Sequence, residues 1–517
     1  MSDPCCRKPV SACLLVFLTL ALAGCSSSSS PSSPVSSSNP PPPGDPVGSN
    51  LTKISSDPYT TGPGQHATEV EPHMLSNGST LVAAFQTGRI APGGSTDIGW
   101  ATSTDGGATW SHGFLPGLTT GEGTGPYDAA SDPAVAYDAK HDVWMIASLP
   151  ISATLQAPAV AVSRSTDGGM TWQTPVAVDS TAVSSDKNWI VCDSWATSPF
   201  YGNCYTEWDD PFNNGEILMS TSSDGGLTWG AALPTANLSQ GIGGQPLVQP
   251  NGTVIVPIET ALSGTGVISA YSSSDGGATW TAPLTISAIQ FHSDAGGIRS
   301  GPLPSAAIDG AGTVWVVWED CRFRAACATN DLVYSTSGDG VTWSTVSRIP
   351  IDDVSSTADY FIPGIGIDPA TAGATAHVAV HYYYYAQSNC TAASCQLFVG
   401  YISSANGGAS WNSPSTLTAN AMLLDWLPNS QNGLMVGDYI ATTFTNGVPH
   451  GVFAVARVNS GTTFDEAIYT AQGLSSEKSV RQRSSAFDRP LHHLSDKIEK
   501  ELPEKRIPPS RRNARRK

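Results

Sequence analysis

Basic residues are nearly missing from most of this chain. Between Leu51 and Gln472 there are only ten lysines and arginines, in a protein with a formal net charge of −18. Gripping a phosphate backbone takes clustered Lys and Arg, so nucleic-acid binding by this region is excluded. Apolar length is also short: the run from Val10 to Ala23 falls below what spans a bilayer comfortably. Cysteine is sparse and ordered. Beyond Cys25 it occurs six times, in close pairs: Cys192 with Cys204, Cys321 with Cys327, and Cys390 with Cys395. None has the Cys-x-x-Cys spacing of a metal knuckle, so three local disulfides of an exported protein are expected and metal ligation is not.

What is present sorts the chain into four parts. Arg7 and Lys8 ahead of the apolar run make residues 1–24 a secretion signal. The run ends Leu22-Ala23-Gly24-Cys25, which resembles the lipobox of bacterial lipoproteins; the resemblance implies acylation of Cys25, membrane anchoring and an extracytoplasmic place in the cell envelope. Residues 25–50 are a Ser/Pro-rich tether that cannot bury enough apolar surface to fold. From Glu477 to the end, thirteen basic residues against six acids form a solvated tail within 473–517. The fold is left to residues 51–472.

A repeat unites those residues. Four segments match almost letter for letter: Ser103 to Trp110, Ser165 to Trp172, Ser222 to Trp229 and Ser273 to Trp280, each Ser-x-Asp-Gly-Gly-x-Thr-Trp. Two decayed copies follow, one with Gly338 in the aspartate's place and Asp339 beside it, one with Asn406 there. The Asp can accept from backbone N–H groups of its own turn, the glycines supply positive φ and the Trp packs the hairpin. The box aspartates are therefore structural. Ahead of each box lies a short strand, a turn and a more apolar strand, as in Glu71-Pro-His73 before Leu81 to Phe85, or Asp132 to Tyr137 before Val143 to Ile146. A seventh such unit, Met435 to Ala456, has a third strand at Phe464 to Tyr469 but no box, and Leu51 to Ser55 is placed to supply its fourth strand. The expected fold is an all-β propeller, seven-bladed and closed by an N-terminal strand, with six blades as the alternative.

The boxes and blade pattern resemble the sialidase-like (neuraminidase, Asp-box repeat) superfamily across nearly all of residues 51–472. The resemblance implies ligand binding on the face opposite the boxes, three arginines gripping a sugar carboxylate, a Tyr nucleophile assisted by a Glu, and an Asp as acid/base. Six of the ten basic residues fall in loops of that face: Arg89, Lys187, Arg299, Arg322, Arg324 and Arg457. Arg89, Arg299 and Arg322 are the candidate grip, Tyr360 or Tyr439 the nucleophile and Glu259 its partner, with Arg324, Arg457, Glu319, Asp320, Asp438 and Trp426 as further ligand contacts. Two departures weaken catalysis. The Arg-Ile-Pro motif sits at Arg348-Ile349-Pro350 rather than before the first box, and Thr87 stands where the acid/base Asp belongs. The expected function is surface binding of an anionic glycan or envelope polymer without full sialidase catalysis, the alternative an exo-α-sialidase-type hydrolase. No cofactor is expected; a structural Ca²⁺ on acidic loops such as Asp352-Asp353 is left open.

Overall fold

Gly/Asp turns at short intervals cut the chain into extended segments, and the computed structural model is accordingly all-β. It describes residues 43–179, 184–262, 265–471 and 473–474. The signal run, Cys25 and the tail beyond Leu474 lie outside the described residues. Strands come in antiparallel sets of four. The first set runs Gln65–Asn77, Thr80–Arg89, Ser95–Ser103 and Ser111–Phe114, each bonded to the next. Six more follow, with first strands at Ala129–Asp138, Asp186–Cys192, Leu247–Val248, Ser305–Ile308, Asp359–Ile367 and Ala441–Thr445. These first strands lie side by side in chain order, and Ala441–Thr445 in turn lies against Gln65–Asn77. The seventh set has three strands of its own. Its fourth is Leu51–Lys53, with Leu51 opposite Ala471 and Lys53 opposite Tyr469.

Each set buries both faces against its neighbours, which is why second strands read as unbroken apolar runs such as Val314 to Trp318. The core is correspondingly divided into layers between sets. Val82, Ala84, Ile98 and Trp100 of the first, for example, meet Val135, Trp144, Ile146 and Trp172 of the second.

The box hairpins join third strands to fourth. In the first, Asp105 Oδ1 accepts from Thr109 N at 2.9 Å and Oδ2 from Thr109 Oγ1 at 2.6 Å, while Ser103 Oγ accepts from Gly107 N at 2.8 Å. Gly106 and Gly107 have φ of 72° and 88°, conformations that a Cβ would strain. The fifth copy departs from its expected alignment. Ser337 Oγ takes Gly340 N, and Asp339 Oδ1 takes Val341 N and Thr342 N. The aspartate is thus kept and one turn residue is missing. In the sixth, Asn406 Oδ1 accepts from Ser410 N at 2.9 Å, so an amide replaces the carboxylate.

The six cysteines pair as their spacing implies, in disulfides whose places differ. Cys192 is bonded to Cys204 across the first two strands of the third set, where the two residues stand directly opposite each other. Cys321 is bonded to Cys327 and closes the turn that follows the second strand of the fifth set. Cys390 is bonded to Cys395 in the corresponding turn of the sixth. Cys204, Cys321 and Cys395 are wholly buried, so these sulfurs also pack as apolar groups. None of the six touches the charged cluster described below, and their part is to hold strands and turns.

The seam between the two ends of the chain is the place to weaken. Ile54 is 1% exposed and donates its N–H to Ile468 O at 2.9 Å. Ile54→Ala should cost about 2–4 kcal/mol in denaturant unfolding, whereas Val458→Ala, at an exposed position, should stay within about 0.5 kcal/mol.

Candidate functional site

The starts of the first strands share one irregularity. A register shift interrupts the first, second, third and sixth of them, between Val70/His73, Ser131/Ala134, Asp186/Trp189 and Phe361/Gly364. Each bulge holds a non-glycine residue in the left-handed region: Glu71 (φ 53°), Asp132 (49°), Lys187 (49°) and Ile362 (49°). In three of the four a proline follows (Pro72, Pro133 and Pro363), which needs no ladder partner for an N–H. Left-handed conformations of this kind cost about 1–3 kcal/mol each and gather at functional sites.

The consequence is convergence of charge. Lys187 Nζ makes a short contact with Asp438 Oδ2 and lies 3.7 Å from Glu71 Oε1 and 3.8 Å from Asp132 Oδ1. Arg299 clasps the same Asp438 with both Nε, 2.6 Å from Oδ1, and Nη2. Gln86 Nε2 donates to Glu71 Oε2, and Asp438 N donates to Glu71 Oε1 at 3.2 Å. The group is nearly closed to water: Glu71 is 1% and Asp132 3% exposed, while the Arg299 side chain is the most open at 19%. Asn188, 1% exposed, has neither end of its amide partnered and borders a void of about 20 Å³, room for one water.

Burial and charge drive the acids apart. Burial raises Glu71 to about 8 despite Lys187, and lifts Asp186 to about 6. For Asp438 burial is outweighed by Lys187 and Arg299, which hold it far below the carboxylate range; Lys187 likewise keeps Asp132 low. The ammonium of Lys187 is itself held on, since Asp132, Asp438 and Glu71 overcome its burial. Within one cluster, Glu71 is thus pushed up while Asp132 and Asp438 are held down.

The expected three-arginine grip is not assembled. Arg299 and Asp438 belong to the cluster. Arg89 is buried nearby but donates to Ile90 O, Gly94 O and Met435 Sδ. Arg322 lies elsewhere, forked onto Asp320 at 2.8 and 2.7 Å. Arg324 joins Arg348 on Asp331 and Asp352, and Tyr360 donates to Asp352 Oδ2 at 2.8 Å. That network explains the misplaced Arg-Ile-Pro: Arg348 is a structural partner, and the Asp352 carboxylate, flanked by two guanidiniums, is not free for Ca²⁺. Arg457 pairs with Asp45 and Asp465 at an exposed edge. Trp426 is buried in an apolar cluster rather than offered to a sugar. Tyr439 is buried too, its hydroxyl donating to Pro133 O at 3.1 Å. Glu259 is raised by burial, and among the described residues no cation pairs with it. Glu319, fully buried with both oxygens unpartnered, faces Asp294 and Asp359.

Asp132, Gln86 and Asp186 were not singled out from sequence. The signal was available in the recurrence of a charged residue before proline at one place in the repeat, Glu71-Pro72 and Asp132-Pro133.

No family model matches the chain, and no curated protein matches it. Similar solved structures include a protein of unknown function from Dyadobacter fermentans (16% identity over 69% of this chain and 99% of that one, TM-score 0.44). Others are a Hadza microbial sialidase (14%, 79% and 66%, 0.40) and an ulvan lyase described as a new polysaccharide lyase family (10%, 81% and 95%, 0.47). At these identities and scores the likeness assigns no chemistry to this chain.

Two outcomes are expected. Folded Glu69 and Asp97 titrate at about 7, Asp186 and Asp359 at about 6, all raised by burial. The folded chain therefore holds protons that the unfolded chain releases above about pH 4.5, and stability is lost as pH rises through 6 and 7. Thermal melts should show Tm falling from pH 5 to pH 8. Lys187→Met leaves three buried carboxyl groups with one cation, and should cost about 3–5 kcal/mol at pH 8 and distinctly less at pH 5, where the acids take up protons.

Proposed function

We propose that the chain is a seven-bladed propeller of the cell envelope, lipid-anchored at Cys25, that cleaves a glycosidic linkage at the mouth formed by Glu71, Asp132, Lys187, Arg299 and Asp438. The observation that carries this reading is the convergence of Glu71, Asp132 and Asp438 on Lys187 and Arg299, which pushes Glu71 up and holds the two aspartates down. Glu71 keeps a proton to give to a leaving oxygen. In this reading the ionised Asp132 activates water or stabilises positive charge on the sugar, while Asp438, clasped by Arg299 and Lys187, holds the two cations in place. The substrate is not gripped by a carboxylate in the manner of a sialidase, because both cations of the mouth are already engaged by Asp438. A second reading, glycan binding without cleavage, is favoured by the near-complete burial of Glu71 and Asp132.

Release of reducing ends from a panel of neutral and acidic polysaccharides and aryl glycosides tests the proposal. Glu71→Gln should lower kcat by about 10²-fold or more, measured on protein that still melts cooperatively. Saturable glycan binding with no product would leave the second reading, and neither binding nor product would remove both.

A further inference from the structure

A sizeable cavity among the described residues lies away from that mouth. It is a shaft of about 430 Å³ lined by first-strand residues of all seven sets, among them His73, Trp189, Gln245 and Ile365. That volume falls in the range of small-molecule sites. Its wall reaches Asn77, Ser194 and Pro369, exposed residues at or just past the ends of first strands, where the chain turns to the second. Those connections share a face with the boxes, since Gly106 N bonds Ser79 O and Gly276 abuts Phe200. The shaft therefore opens on the face opposite the one where the resemblance places ligands.

Its chemistry is distinct from that of the mouth. In a strongly acidic protein, no Asp, Glu, Lys or Arg lines it. The inner end is closed by Trp189, which packs against His73 (ring centroids 4.5 Å) and Tyr439 (5.1 Å). Donors gather there. His73 Nδ1 accepts from Val135 N at 2.8 Å, which places the ring proton on Nε2. Gln245 Oε1 accepts from Ala306 N at 2.8 Å, which turns its NH₂ away from that bond. The Trp189 indole N–H is a third donor, without a hydrogen-bond acceptor among the described residues. The walls above are apolar, with Leu247, Ile308, Ile365 and Ile440, and Trp195 and Tyr137 add aromatic surface nearer the opening. Burial drives His73 down to about 3, so the end wall stays uncharged at any pH the cell envelope meets.

We infer that this shaft is a second binding site, taking an uncharged glycoside whose oxygen acceptors lead inward to Trp189, His73 and Gln245 and whose apolar portion fills the aliphatic walls. Three donors at the blind end favour oxygens over ammonium groups. The uncharged wall penalises a carboxylate, which would surrender its hydration without a cation to meet it. The site is independent of cleavage at the mouth.

Titration of the full chain by calorimetry and tryptophan fluorescence tests the inference. The probes are methyl and phenyl β-D-glucopyranoside and N-acetylglucosamine, against N-acetylneuraminic acid as the charged comparison. At least one neutral probe should bind saturably and change the fluorescence, with N-acetylneuraminic acid weaker by tenfold or more. Ile365→Trp fills the shaft and should abolish binding. Gln245→Glu keeps the acceptor for Ala306 N but replaces a donor by a charge, and should weaken binding by tenfold or more while keeping a cooperative melt. No saturation by any neutral probe, equal binding of N-acetylneuraminic acid, or unchanged affinity in the folded variants would overturn the site. The readout is binding at the shaft, which Glu71 does not line, so a Glu71→Gln protein that has lost cleavage should still bind the neutral probes; this separates the result from the fate of the mouth.

Discussion

A single buried ammonium organises the mouth. Lys187 extends from the third first strand and meets carboxylates from the first, second and last, so that Glu71, Asp132 and Asp438 are drawn to one point. None of these groups could remain charged alone at such burial. The ammonium and the carboxylates are therefore mutually dependent, and the left-handed bulges that aim them inward persist because the surrounding strands leave no alternative. Arg299 completes the set from a connection between sets, which ties a loop to the same point.

The same geometry explains why the two ends of the central space differ. At the mouth, strand starts carry charged residues at the bulge. Beyond Trp189, the first strands turn uncharged residues to the axis, apolar ones in the main with a few amide, imidazole and hydroxyl groups. The void of about 20 Å³ between the two regions lets one water serve Asn188 but admits no sugar. The charged cluster and the uncharged shaft thus meet at Trp189, which lines both spaces.

Much of the fold was legible. The box repeat, the strand pair before it and the use of Leu51–Lys53 as the last strand are local or periodic features, and near-identical octapeptides impose near-identical hairpins. The disulfides were legible because Cys192 and Cys204, Cys321 and Cys327, and Cys390 and Cys395 each close a short loop. The site was only partly so. Arg89, Arg299, Arg322, Arg324 and Arg457 look alike as loop arginines, yet one reaches the cluster carboxylate, one caps backbone carbonyls and three pair with carboxylates outside the cluster. Arg322 is held by Asp320, two residues before it, and Arg324 by Asp331 and Asp352. Loop position says which face a side chain is on and not which partner it will find.

The sequence by itself determined the repeat, its hairpins and the acidic, cation-poor character of the body, since these rest on neighbours within a few residues and on composition. Only the tertiary structure decided which charges meet and where space remains. Lys187 and Asp438 are 251 residues apart, and a cavity is a property of seven strands at once, so neither can be read from any one of them.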